Sequence, residues 1–339
     1  MKCIRTEDAV GHVLCHDMTQ IIPGVSKGPR FRKGHVVTEE DIPVLLSMGK
    51  ENLFVWEMEP GMVHENDAAE RLAALCGREN MTWSETKEGK IELKSAIEGV
   101  FLVDSARLFA VNSIDELMIA TRRGGGTVHP GDKLAGTRVI PLIIREEKLR
   151  QAEQAAGSAP LLSVRPFVRR TAAVITTGSE VAKGRIPDSF TPVVERKLAA
   201  FGIRMTEHIL VEDGQENVLE AIEQMKRRPV EMILCTGGMS VDPDDSTPGA
   251  IKASGADIVT YGAPVLPGAM FLLGYYGDGR PVMGLPGCVM YAKATIFDLV
   301  LPRIAADVRL EKRDFVAFGE GGLCLGCESC TYPHCGFGR

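Results

Sequence analysis

Four stretches of this sequence carry residue types that could do chemistry. In the first, Thr176-Thr177-Gly178-Ser179-Glu180-Val181, with residues 184–189 behind it, follows a compact β-rich run. Glycine and hydroxyl residues at a strand exit let backbone N–H groups face an anion, and Asp188 could orient a hydroxyl or a magnesium ion. A plainer reading is a polar loop with Ser189 capping the next helix. In the second, Thr236-Gly237-Gly238-Met239-Ser240 leads into Asp242, Asp244 and Asp245. Paired glycines permit close approach to a phosphate, and the three crowded carboxylates repel one another unless a cation or donors sit among them. Oxygen donors beside a phosphate suit Mg²⁺. Read as an acidic turn with Ser246 or Thr247 as a helix cap, the loop still lacks a reason for its two glycines.

The third stretch holds two Pro-Gly pairs, Pro267-Gly268 and Leu285-Pro286-Gly287, followed by Cys288. The second pair predicts a long helix running through Ile304 with its N-terminus aimed at an anion. Either pair alone reads as a turn. The fourth stretch is the tail, where Cys324, Cys327, Cys330 and Cys335 stand beside His334. A consecutive run with two-residue gaps lets thiolates converge, and it resembles iron–sulfur ligation more than the separated pairs of a zinc ribbon. An iron–sulfur cluster, zinc, and an unliganded flexible tail are the three readings.

The elements that must position these stretches follow from periodicity. Beyond Arg170, β-type runs over 171–176, 203–211 and 230–235 alternate with helical patterns over 191–201 and 215–228. Such alternation predicts right-handed crossovers and an α/β domain, a mostly parallel sheet with helices on both faces, over 170–307. Ligands of such sheets bind outside the carboxyl ends of the strands, where the chemistry-bearing loops fall. Residues 1–165 read as a mixed α+β N-terminal region. It carries a helix started near Thr38 and stopped by Gly49, a strand at Leu53 to Trp56, a helix over 68–76 stopped by Gly77, and short strands over 89–142. The stretch 145–160 reads either as a boundary or as a surface helix continuing the first region. Residues 308–339 form the cysteine-bearing tail.

Composition narrows the classes. A chain of 339 residues calls for two or more domains, and a formal charge of −6 with both signs interspersed gives no basic field to draw it onto nucleic acid or a membrane. An early-charged N-terminus and the lack of a long apolar run predict a cytoplasmic address. The nine cysteines then read as thiols or metal ligands rather than a disulfide framework.

In their order and spacing, the Thr-Gly-Ser-Glu at 177–180, the Asp188-Ser189 pair, the Thr-Gly-Gly at 236–238 with its trailing acids, and the two Pro-Gly turns resemble the molybdenum-cofactor biosynthesis domain shared by molybdopterin adenylyltransferases and molybdopterin molybdotransferases. Residues 33–55, with their Lys33-Gly34 turn, also resemble a molybdotransferase segment, while the usual C-terminal β-domain is lacking. The resemblance implies a transferase that binds adenylylated molybdopterin and inserts molybdenum from molybdate with release of AMP. It implies cofactor-binding positions at Thr177, Gly178, Ser179, Glu180, Ser189, Gly237, Gly238, Ser240, Pro267, Gly268, Leu285, Pro286 and Gly287. Catalytic work falls to Asp188, Asp242 and Asp245, with Mg²⁺ held by Asp244 and Asp245. A homo-oligomer is expected, and a client molybdoenzyme is a further partner. The pattern departs at Phe190 and Cys288, where molybdotransferases usually have Asn, and at Pro243, where the loop looks more like an adenylyltransferase. A non-catalytic molybdopterin carrier and an adenylyltransferase are therefore the alternatives.

Overall fold

A computed structural model of the chain describes residues 2–22, 26–55, 60–240 and 246–338. It divides into two compact units. The first comprises Met1–Ala96, Val103–Arg122 and Pro130–Ser163, and the second Ile97–Leu102, Arg123–His129 and Val164–Arg339.

The first unit is mixed α and β. Its largest sheet has four antiparallel strands in the order Met81–Trp83, Lys90–Ser95, Lys133–Val139, Leu117–Thr121. The helix expected near Thr38 runs Asp41–Ser47, where Asp41 Oδ2 accepts from the Thr38 amide and hydroxyl. The strand after it is Asn52–Val55, and Trp56 falls outside the described residues. The next helix, Glu65–Cys76, ends at Gly77 in the left-handed region, as a glycine stop requires. Of the two readings of 145–160, the helix is present as Glu146–Ala156, with Arg71 bridging Glu146 and Glu153.

The second unit holds the expected α/β architecture. Its elements are β1 (Thr171–Thr177), α1 (Ser179–Ala182), α2 (Thr191–Ala199), β2 (Arg204–Val211), α3 (Gln215–Lys226), β3 (Ile233–Thr236), α4 (Thr247–Ala253), β4 (Asp257–Tyr261), β5 (Leu272–Tyr275), β6 (Pro281–Leu285), α5 (Ile296–Ala305) and α6 (Lys312–Val316). The six strands lie in the order β2-β1-β3-β6-β5-β4. Strands β2, β1, β3 and β6 pair in parallel, and β5 is antiparallel to both neighbours. Five strands thus share one direction.

Alternation along β1 splits its side chains between two cores. Ala172 and Val174 join Leu234, Met283 and Leu285 beneath α2 and α5, which contribute Val194, Leu198, Phe297 and Ile304. Ala173 and Ile175 join Ile233, Cys235 and Val282 beneath α3 and α4, which contribute Val218, Ile222, Ala250 and Ile251. Strands covered on both faces become nearly continuous apolar runs, whereas the edge strand β2 alternates between exposed and half-buried.

One expectation is corrected. The helix expected to run directly from Leu285-Pro286-Gly287 is a 3₁₀ turn, Gly287–Met290, followed by a break before α5 begins at Ile296. Thr295 and Asp298 form a reciprocal capping box that sets this start, so the α5 N-terminus satisfies its own amides. The tail packs on this unit. Phe315, Phe318 and Phe337 are buried in the second unit's core, and the Tyr332 hydroxyl donates to Asp298 O at 3.0 Å.

Candidate functional site

Parallel pairing brings the strand exits to one edge. Thr176 lies opposite Thr236, Thr236 opposite Leu285, and Gly284 opposite Leu272 at the start of β5. The loops after β1, β3 and β6 and the β4–β5 connection therefore converge at the carboxyl edge of the sheet, where ligands of such folds sit.

The glycines there have a structural reason. Gly237 and Gly238 have φ of +86° and +58°. A Cβ on Gly237 would stand 2.5 Å from both Thr177 O and Thr177 Oγ1, and one on Gly238 would stand 2.6 Å from Thr247 Oγ1. The β3 exit is thus pressed against the β1 exit and the start of α4, where the Thr247 hydroxyl donates to Gly237 O at 3.0 Å. Gly268, at φ +123°, packs on α5, leaving a Cβ only 2.6 Å from Ile296 Cγ2. Gly287 differs, because it is exposed and a Cβ there would meet nothing within 4 Å.

In the first loop, two amides expected to face an anion are already engaged. Gly178 N donates to Val211 O at 3.2 Å, and Ser179 N donates to Asp213 Oδ2 at 2.8 Å. Asp213 N returns a bond to Ser179 Oγ at 3.3 Å. The Gly237–Gly238 turn and exposed Gly287 bring further backbone to the same edge.

Two hydroxyls mark the same edge. Thr177 Oγ1 and Thr236 Oγ1 are buried and have no hydrogen-bond partner among the described residues. An unmet buried hydroxyl costs about 1–3 kcal/mol, and most native polar groups avoid that cost. Two at the ends of adjacent strands, beside a double-glycine turn, point to a polar ligand.

Residues 173–306 match the family model of a probable molybdopterin binding domain. Residues 3–57 match a domain of unknown function. A putative competence-damage inducible protein of Bacillus cereus (strain AH187) is 32% identical over 90 residues, which cover 26% of this chain and 22% of that protein. The chain thus spans about a fifth of the length of the curated relatives it matches. Similar solved structures include a putative molybdenum cofactor biosynthesis protein from Corynebacterium diphtheriae, with 16% identity, TM-score 0.35, and 42% of this chain and 97% of that chain covered. Another is the molybdopterin biosynthesis Mog protein from Mycobacterium ulcerans, with 22% identity, TM-score 0.34, and coverage of 41% and 97%.

Within the matched domain, Asp188 caps α2. Its Oδ1 accepts from Phe190 N at 2.9 Å and Thr191 N at 3.0 Å, a place the sequence reading gave to Ser189. Its Oδ2 is buried and 3.7 Å from His208 Nε2. Burial works to raise the Asp188 pKa, but hydrogen bonds from Thr191 and Phe190 and the charge of His208 outweigh it and hold the carboxyl below the usual aspartate range. The Thr176 and Thr191 hydroxyls lie 2.9 Å apart and 3.2 and 3.1 Å from His208 Nε2. Sequence reasoning missed His208 and Asp213. The Asp213-Gly214 pair after a strand was a legible turn signal, whereas nothing local singles out His208 on an edge strand.

The remaining residues divide by burial. Glu180, Ser189 and Ser240 are exposed at the edge, and Ser189 Oγ donates to Met290 Sδ at 3.1 Å, tying the first loop to the turn after β6. Leu285, Pro286 and Gly268 are buried and shape the edge from within, while Pro267 is half-buried. Phe190 packs on the α2 core, and burial pushes the Cys288 thiol above its ordinary pKa, keeping it protonated. Asp242, Asp244 and Asp245, with Pro243, lie outside the described residues. Among the described residues no three His, Cys, Asp or Glu side chains converge as ligands of a single metal ion, and no helix is long and apolar enough to cross a membrane.

Proposed function

We propose that the chain binds molybdopterin or its adenylate at the carboxyl edge of the second unit's sheet. In this reading it serves molybdenum cofactor biosynthesis, inserting molybdenum from molybdate with release of AMP. The observation that carries this reading is the pair of buried, unpartnered hydroxyls on Thr177 and Thr236 beside the Gly237–Gly238 turn, inside the stretch that matches a probable molybdopterin binding domain.

In this reading Thr177 Oγ1 or Thr236 Oγ1 donates to the ligand's phosphate while the Gly237–Gly238 turn gives it room. Exposed Gly287 borders the same space. Asp213 and Asp188 are positioning residues, the first holding the β1 exit through Ser179 and the second fixing the start of α2. Asp188 does not fit a magnesium ligand, because two amides occupy Oδ1 and Oδ2 is buried against His208. No step is assigned to Mg²⁺.

The test is to incubate the purified protein with molybdopterin or its adenylate, with and without molybdate, and follow binding, AMP and pyrophosphate. Saturable binding of the adenylate with molybdate-dependent AMP release is expected. Binding without AMP release would make the chain a carrier, pyrophosphate release from ATP and molybdopterin would make it an adenylyltransferase, and no binding would overturn the reading.

A further inference from the structure

The four tail cysteines line one cavity. Cys324, Cys327, Cys330 and Cys335 share a space of about 420 Å³ with Pro267, Lys293 and Tyr332, among others. We propose that this cavity holds a [4Fe–4S] cluster ligated by those four thiolates.

The frame around the cavity is pinned at both ends. Leu266 N donates to Gly322 O and Cys324 N to Leu266 O, each at 2.8 Å, so the tail enters as a strand against the β4–β5 connection. At the other end, Gly338 N donates to Gly321 O at 2.8 Å, and Phe337 is buried. Eighteen residues of tail, Gly321 to Gly338, are thereby drawn into a loop that carries all four cysteines, and none of the four is in a disulfide.

Cysteine spacing favours a polynuclear group over a lone ion. A tetrahedral zinc site gathers its sulfurs around a single centre at about 2.3 Å, most often from two separated pairs of ligands. A [4Fe–4S] unit attaches each thiolate to a different iron, so its four cysteines surround a volume, and the four tail cysteines line one cavity. The two-residue gaps from Cys324 to Cys327 and Cys330 match those of bacterial cluster-binding runs.

Charge and access agree with this ligand. The liganded cluster is anionic, and Lys293 lines the cavity. Cys327 and Cys330 are exposed, giving iron and sulfide a route in. Built from ferrous and ferric iron in equal parts, sulfide and the four thiols, the cluster needs no outside oxidant and releases only the thiol protons. Because Pro267 lines the cavity, the cluster would rest against the loop whose Gly268 packs on α5 near the carboxyl edge.

The test is anaerobic reconstitution of the full chain with iron and sulfide, followed by iron and acid-labile sulfide analysis and alkylation mapping. About four irons and four sulfides per chain are expected. Cys324, Cys327, Cys330 and Cys335 should become protected while exposed Cys3 stays labelled. C330S and C335S should lose the cluster, and C288S should keep it. Zinc bound without sulfide, iron content unchanged in C330S and C335S, or four cysteines still fully alkylated after reconstitution would each overturn the proposal. The alkylation map uses the unmutated chain, so a variant that fails to fold does not blunt the test.

Discussion

Replacing Thr177 or Thr236 with valine separates stability from binding in a way few substitutions do. Each hydroxyl is buried without a partner among the described residues, so its removal should relieve a standing penalty. Taking the low end of that penalty, about 1 kcal/mol each, the unliganded second unit should melt roughly 2–4 °C higher per substitution. Binding should move the other way. A hydrogen bond to a charged group is worth about 1.5–3 kcal/mol, so losing one should weaken molybdopterin affinity by roughly 10- to 150-fold. Thr191→Val is the contrast, because its hydroxyl is paired with Thr176 and His208 at 2.9 and 3.1 Å, and its loss should lower the melting temperature. Thermal unfolding of the unliganded variants and calorimetric titration with molybdopterin read the two effects. The reasoning is refuted if T177V and T236V destabilise the unliganded protein as T191V does, or if they leave the affinity unchanged.

Other substitutions probe the same edge. Gly237→Ala forces a left-handed alanine whose Cβ would lie 2.5 Å from Thr177 O, costing about 1–2 kcal/mol from the backbone alone. Its melting temperature should fall by roughly 2–8 °C or more, and an unchanged melt would contradict the close approach. Asp188→Ala removes the α2 cap and should cost about 1 kcal/mol. The folded Asp188 pKa is depressed, so its contribution should be complete above the ordinary aspartate value, about pH 4, and lost as pH falls through the lower folded value. The gap between wild type and D188A in acid titrations should accordingly close toward low pH. Cys76 and Cys235 are buried with thiols pushed up to about 12, so alkylation at neutral pH should spare both until the protein unfolds. Rapid native labelling of either would count against that burial.

The second unit was legible in the sequence wherever local pattern sets structure. Strands β1, β2 and β3 and helices α2 and α3 fall within a few residues of their expected spans, because buried parallel strands and amphipathic helices leave periodic signatures. The β4–β5–β6 meander was less visible, since its strands are short and its direction is fixed only by pairing. The start of α5 was misplaced, although Thr295 and Asp298 spell a capping box three residues apart. The double glycine is plain in the sequence but its reason is not, because the close approach of Gly237 to Thr177 spans sixty residues of sequence. Long-range placement likewise hid the passage of 97–102 and 123–129 into the second unit. Asp188 was picked out as a chemical group, and only the structure shows its oxygen occupied by the α2 amides.

The central claim is that a phosphate-bearing pterin sits at the carboxyl edge of this sheet. A crystal structure of the protein with molybdopterin tests it most directly. The account predicts the phosphate within hydrogen-bond distance of Thr177 Oγ1 or Thr236 Oγ1, against the Gly237–Gly238 turn and beside Gly287. A pterin bound elsewhere on the chain, with both hydroxyls still unpartnered, would contradict it.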